Sequence, residues 1–535
     1  MDKRTFAAIV LSFIVVLIYQ LFFAPTPPSP KPQAVQETKK ETIVEPVKKE
    51  VIKETLTKTI PSRQEQMSGK DIKVESPLYT ATFTTTGGAL KSFKLKDYRK
   101  TLDKNSEPIE LVNVMDGMDY PLTVTFPESN INIHPEATYQ TNTDFIDITK
   151  TMDTRKLIFT WSYPGKIKIE KVFIFYPEKY SFDLEVKVHN LSGRALSENA
   201  LLNWYQFVDP EASTSRYSHT GPISFIKNST RREKVKKLET RKFMGPDVSW
   251  AGFENKYFIA SMIPQKPSLT SLILSKNSRN LVSVSLEGPN NLIPPEQSGF
   301  FNYSLYLGPK DYDVLKAEGV GLENSIDFGS WIKWLALPLL IALKFLYQYV
   351  HNYGLAIIVL TILIKILFWP LGNKSYKSMK EMQKLQPMLS KLQEKYKDDK
   401  AKINQETMAM YKRHKVNPMG GCLPMIIQIP VFFGLYKALL YSIALRHSPF
   451  IWWIQDLSAK DPYYITPIIM GGTMFLQQKM TPQAGGNPIQ QKMMLWMPVI
   501  FTFLFLNFPS GLVIYWLFNN VLSIGQQYYI NKKPS

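Results

Sequence analysis

Cysteine occurs once in the 535 residues, at Cys422, so no internal disulfide can form. Histidine occurs six times, and no spacing of His and Cys suits a zinc ion. Charged residues are only 20% of the chain while hydrophobic residues are 44%, a mixture that fits a soluble domain joined to a membrane domain better than either alone. The most informative absence is positional. Six apolar runs, at 5–24, 354–371, 423–444, 463–478, 495–508 and 511–529, contain no Asp or Glu. Proton relays, sodium sites and aspartyl proteases in membranes need such carboxylates. No HExxH and no nucleophile beside a base is in view, so hydrolysis and ion-coupled transport are excluded as first readings, and no metal or cofactor is expected.

What is present starts with an anchor. Residues 5–24 form an apolar run of membrane-spanning length, preceded by Lys3 and Arg4 and followed by no cation until Lys31. The positive-inside rule then places the N-terminus in the cytoplasm. The run ends in Phe22-Phe23-Ala24-Pro25, a poor cleavage site, so residues 1–24 read as a retained anchor. Residues 25–69 are proline-rich and then alternate Lys with Glu, which reads as an extended solvated linker. From 70 to 328 the pattern turns to period-two strands, among them 79–84, 157–161, 167–175, 182–188, 257–262, 269–274, 282–286 and 303–307, separated by turn signals such as Gly87-Gly88 and Pro164-Gly165. A large exported β-sandwich closed by a short helix near 311–318 is the expectation.

Residues 329–350 are apolar but carry Lys333, Lys344 and Pro338, and only three residues separate them from the next run. They read as an interfacial amphipathic helix. The remaining runs, with the N-terminal anchor, make six spans with both termini in the cytoplasm. The Lys-rich segments 373–417 and 479–492 then lie inside, and much of the net charge of +19 is ordinary topology. Segment 373–417 reads as a helical hairpin. Met379, Met382 and Leu385 recur along one face of its first helix, and Met408 and Met410 lie on its second. These methionine-rich faces pack on each other, or form an adaptable basic surface for emerging apolar chains, a targeting factor or ribosomal RNA, and the two readings are compatible. No DNA-recognition module is present.

Two lysines lie inside spans. Lys437 is near the outer end of its run and reads as snorkelling to the interface. Lys365 is deeper, with Thr361 one turn away on the same face. Gln428, Asn507, Asn519, Asn520 and Ser523 add polar groups at span depth. A cation without an acid partner in a hydrated groove attracts a passing anionic segment without holding it, which lowers the cost of moving a short polar tail part-way across.

Four motifs carry a resemblance over essentially the whole chain: Lys384-Leu385-Gln386-Pro387, residues 416–424 (VNPMGGCLP), Asp461-Pro462-Tyr463-Tyr464 and Phe508-Pro509-Ser510-Gly511-Leu512. With them the chain resembles the YidC family of bacterial membrane protein insertases, in its Gram-negative form. The resemblance implies a membrane α-helical protein of six transmembrane helices with an all-β periplasmic supersandwich domain. It also implies a five-helix core (351–535) around a hydrophilic groove open to cytoplasm and lipid. The implied partners are nascent membrane proteins, the Sec translocon, the ribosome with targeting factors, and the bilayer. The groove residues it maps are Lys365, Thr361 and the Tyr515-Trp516 pair, of which either can face inward. The family usually has arginine at the position of Lys365, so here a positive charge is kept without the planar fork. The competing readings are a secondary transporter or channel, which needs the missing carboxylates, and an envelope scaffold or sugar-binding module acting through the β domain.

Overall fold

The computed structural model describes residues 69–532 apart from 116, 128, 130–136, 210–218, 239–240, 330, 397–398, 415, 417–422 and 481–487. The expected anchor, nearly all of the linker and most of the 416–424 motif lie outside the described residues.

Alternating apolar residues build the β domain. Strand Ile167–Phe175 places every odd-numbered residue inward, so Ile167, Ile169, Phe173 and Phe175 are fully buried. The same parity drives Lys171 into the core. This strand belongs to a nine-stranded antiparallel sheet. Its order is Ser229–Arg232, Gly221–Ile226, Val248–Glu254, Phe258–Pro264, Ser298–Pro309, Ser181–Asn190, Ile167–Phe175, Arg155–Tyr163 and Gln140–Thr141. Two five-stranded sheets cover its inner face, one built around Asp71–Glu75, Tyr79–Thr84 and Ala89–Arg99, the other around Leu201–Phe207, Ser271–Lys276 and Leu281–Glu287. Phe83 of the first meets Phe173, Phe175 and Phe182 of the large sheet at centroid distances of 4.7, 5.7 and 6.5 Å, so ring packing joins the layers. Lys171 Nζ bridges them too, donating to the carbonyls of Gly87 (3.1 Å), Gly88 (2.6 Å) and Leu122 (2.7 Å). Both glycines have positive φ, which turns their carbonyls toward the amine at no steric cost. The expected strands are all present.

Helix α1 (Tyr312–Ala317) closes the domain, and Asp311 caps it by accepting from the Asp313 and Val314 N–H groups. Helix α2 (Lys333–Val350) buries Ala336, Leu339, Leu340 and Leu343 and leaves Trp334, Ile341, Phe345 and Tyr349 exposed. Its far side is therefore apolar as well. Its two lysines are used by the β domain: Lys344 Nζ binds Asp311 at 2.9 Å and Asp313 at 2.6 Å, and Lys333 Nζ binds Asn324 Oδ1 at 2.8 Å.

The expected span 354–371 differs from the structure. Helix α3 (Tyr353–Leu367) stops, and α4 (Trp369–Lys395) departs at 65°. Pro370 explains the break, because it cannot donate to the α3 ladder and its ring opposes the carbonyl four residues back, yet it suits the first turn of a new helix. The first arm of the hairpin thus starts at Trp369 rather than at 373. After α5 (Lys400–Arg413) come α6 (Leu423–Tyr441), α7 (Ile465–Met480), α8 (Pro488–Phe505) and α9 (Ser510–Lys532). Among the described residues no single helix is long and apolar enough to cross a membrane by itself, and only α3 with α4 reaches that measure as a bent pair. The count of six spans is therefore not reproduced. Helices α3 and α7 are only 15 and 16 residues long, short of the ~20 that the bilayer core requires.

Candidate functional site: a lysine beside a polar helix face

Helix α9 carries the polar groups of the core. Asn519, Ser523 and Gln526 follow the helical repeat toward α3 and α4, while Asn520 and Gln527 face α7; all five are buried. Buried amides and hydroxyls need partners, and Asn520, Ser523, Gln526 and the Gln527 amine find them across helices, while Gln527 Oε1 has none among the described residues. Gln526 Nε2 donates to Trp369 O (3.2 Å) and Asn373 Oδ1 (3.0 Å), which ties the α3–α4 junction to α9. Gln527 Nε2 donates to Met480 O at 2.7 Å and Asn520 Nδ2 to Thr473 Oγ1 at 3.3 Å.

Lys365 reaches this face. Its half-buried ammonium donates to Ser523 Oγ at 2.6 Å, and Ser523 in turn donates to Asn519 O at 2.7 Å. Among the described residues no carboxylate lies within ion-pair distance of Lys365. Lys437 is different: its ammonium is 3.4 Å from Asp327 Oδ2, and Tyr441 O–H donates to the same oxygen at 3.3 Å. The second lysine thus ties α6 to the β domain.

Lys365, Gln428, Tyr515 and Asn519 line one small cavity, together with Tyr376 and Gln526. Its volume is about 50 Å³, room for a few waters and far from the ~10 Å width of a helix. Tyr515 and Gln428 both line it, from α9 and α6. Trp516 points elsewhere, into an aromatic cluster of Phe432, Phe505 and Phe501 at 4.8, 5.3 and 6.1 Å. Thr361 is fully buried, with its hydroxyl bonded to Ile357 O at 2.7 Å, and is not on the cavity wall. Sequence reasoning passed over Tyr376, Gln526 and Gly372, although the 519–523–526 repeat carried the signal for Gln526.

Two motifs meet on the β-domain side. Ser510 donates from N–H (2.7 Å) and Oγ (2.9 Å) to Ala459 O, and Gly511 N–H donates to Leu457 O at 3.0 Å. Nearby, Asp461 is fully buried and caps α7 through the Tyr463 and Thr466 N–H groups. In the α4–α5 hairpin, Met382 and Leu385 pack on Tyr411, with Met408 and Met410 half-buried beside them. Met379 packs on Tyr376 and Ile530 of α9. Met379, Met382 and Leu385 are thus buried, while Met408 and Met410 stay partly exposed.

The model of the YidC periplasmic domain matches residues 71–342, and that of the 60Kd inner membrane protein matches residues 345–535. A membrane protein insertase YidC from Syntrophus aciditrophicus is 63% identical over 550 residues, covering 100% of both chains. The chain belongs to the YidC family of membrane protein insertases. A second relative, the membrane protein insertase YidC of Geobacter metallireducens, is 43% identical and covers 99% of this chain and 98% of its own. An active YidC insertase crystal structure with its first transmembrane domain resolved is 21% identical over 86% of this chain and 92% of that one, with a TM-score of 0.38. Family membership makes the chain an inner-membrane insertase with a periplasmic β domain. It is not an enzyme.

Proposed function

We propose that this chain inserts and helps fold membrane proteins by drawing a short polar segment of the substrate into the space between α3, α4, α6 and α9, while the apolar remainder slides into lipid. The observation that carries the reading is Lys365, an ammonium whose partner is a neutral serine, beside a cavity that sets Gln428, Tyr515, Asn519 and Gln526 among the apolar Ile364, Phe368, Leu371 and Val431. An anionic substrate group can replace that serine without first breaking an ion pair. The cavity is too small for a helix, so α4 and α9 must part for entry. Beside the cavity the bonds between them run from Gln526 to Trp369 and Asn373 and are exchangeable hydrogen bonds; the apolar contact of Tyr376 and Met379 with Ile530 lies further along the same pair.

In this reading the chain spans the membrane six times with both termini in the cytoplasm, and α2 lies at the outer interface. The α4–α5 hairpin receives ribosome-bound chains and targeting factors. The chain works alone or beside the Sec translocon as insertase and chaperone. Photo-crosslinking from Tyr515 to a ribosome-bound nascent membrane protein tests the groove, with Trp516 as the neighbouring control. Adducts at Tyr515 that exceed those at Trp516 are expected, and silence at Tyr515 sinks the groove.

A further inference from the structure

The loop between α6 and α7 carries a feature that insertion through the cavity does not use. Residues 449–453 read Pro-Phe-Ile-Trp-Trp. Trp452 is 79% exposed and Ile451 is 41% exposed. Trp452 also has φ +54°, a left-handed conformation that bulky L-residues avoid. Yet the loop is firmly built. Phe450 N–H donates to Ile454 O (2.9 Å), Gln455 Nε2 to Trp452 O (2.5 Å) and Leu457 N–H to Ser448 O (3.0 Å). Asn352 Nδ2 donates to Phe450 O at 3.0 Å, and the Phe450 ring lies so close over Gly354 that a Cβ there would overlap it.

A strained tryptophan, held rigidly outward and unburied by its own fold, points to a partner outside the chain. The place of the loop says which. It is clamped to the first turn of α3, where the apolar bent pair begins. That is the level at which hydrocarbon gives way to headgroups, the depth that tryptophan prefers because its ring is apolar and its N–H needs a polar neighbour. Arg446, at the base of the same loop, donates to Arg99 O (2.5 Å) and Lys100 O (3.2 Å) of the β domain, so the loop joins that domain to the start of α3.

We infer that Ile451 and Trp452 dip into the headgroup region of the leaflet on the β-domain side and set the depth of α3, and with it of Lys365. The inference rests on reading α3 as part of a membrane span. The single native thiol makes a direct test practical. In a Cys422→Ser background, nitroxides are placed one at a time at Trp452→Cys, at Leu363→Cys in α3 and at Met152→Cys, which is 80% exposed in the β domain. Full-length protein is reconstituted in phosphatidylethanolamine–phosphatidylglycerol vesicles, and collisions with oxygen and with a nickel chelate are compared. At 452 the oxygen-to-nickel ratio is expected to be several-fold above that at 152 and below that at 363. A ratio at 452 equal to that at 152, with 363 still shielded from nickel, overturns the inference and spares the span. Nickel access at 363 overturns the span and the inference together. Broadening at 452 that dilution with unlabelled protein removes means a second copy covers the loop, which also overturns it. Independently, Trp452→Phe in the native chain is expected to lose part of the tryptophan fluorescence quenched by lipids brominated near the headgroup; unchanged quenching counts against the inference.

Discussion

Lys365 is set apart from Lys437 by its partner. Ser523 Oγ offers a hydrogen bond and no charge, whereas Asp327 gives Lys437 a counter-ion. Lys365→Glu reverses the sign at the cavity wall and is expected to slow insertion of substrates with acidic external tails by about tenfold, the equivalent of ~1.4 kcal/mol on the barrier. Lys365→Arg keeps the charge and is expected to stay near wild type. Insertion assays in proteoliposomes with acidic and neutral tails decide the matter, and equal rates for the glutamate variant on both tails would remove charge from the mechanism. In the β domain, burial pushes the Lys171 amine down to about 7, with three carbonyls around it. Between pH 7 and the unfolded value near 10.5 the unfolded chain binds the extra proton, so stability rises with pH across that window and is lost as pH falls toward 7. The slope is at most about 1.4 kcal/mol per pH unit. Urea midpoints at pH 7 and pH 9 are expected to show this rise, and Lys171→Met to flatten it. The inward side of Lys171 was legible from strand parity alone; that three carbonyls wait for it depends on two turns far away in sequence.

At the scale of elements, the break between α3 and α4 organises the cavity. It brings Phe368, Gly372 and Tyr376 round to face α9. Gly372 leaves room for Gln526 there, since a Cβ would lie 2.7 Å from its Nε2 and the amide would have to move. Gly372→Val is expected to displace Gln526 from Trp369 and Asn373 and to cost about 1–3 kcal/mol, read as a lower melting temperature of the purified protein in detergent. The apolar run at 354–371 was visible in sequence, but its composition concealed the bend, because Leu371 and Trp369 are as hydrophobic as the residues before Pro370. The hairpin was legible for the converse reason. Its apolar residues keep helical spacing over two full helices, and Met382 and Leu385 pack with Tyr411 as that spacing predicts.

At the scale of the molecule, the β domain and the helical core share one hydrophobic cluster that runs from the sheets into Ala336, Leu340, Ala438 and Tyr441. Ion pairs reinforce this contact at Asp311, Asp313 and Asp327. All three lie at the C-terminal edge of the domain. A deletion of residues 71–309 therefore keeps the acids that hold α2 and α6, whereas a deletion of 71–328 removes them. The shorter deletion is expected to retain most insertion activity and the longer one to lower protein levels in the membrane, measured by quantitative blotting and by the insertion assay in parallel. Asp327→Ala alone is expected to cost no more than about 1 kcal/mol, because the pair is partly solvated.

By itself the sequence determined the kind of molecule this is. Strand alternation between 70 and 328, apolar runs free of carboxylate beyond 350, and four local motifs are all short-range patterns, and each follows from neighbours along the chain. Tertiary structure alone decided which polar groups act together. Lys365 and Ser523 are 158 residues apart in sequence, and nothing local to either predicts the other. It also decided that Tyr515 rather than Trp516 faces the cavity, since both suit a membrane helix and only the positions of Phe432, Phe501 and Phe505 fix the rotation of α9 between its neighbours.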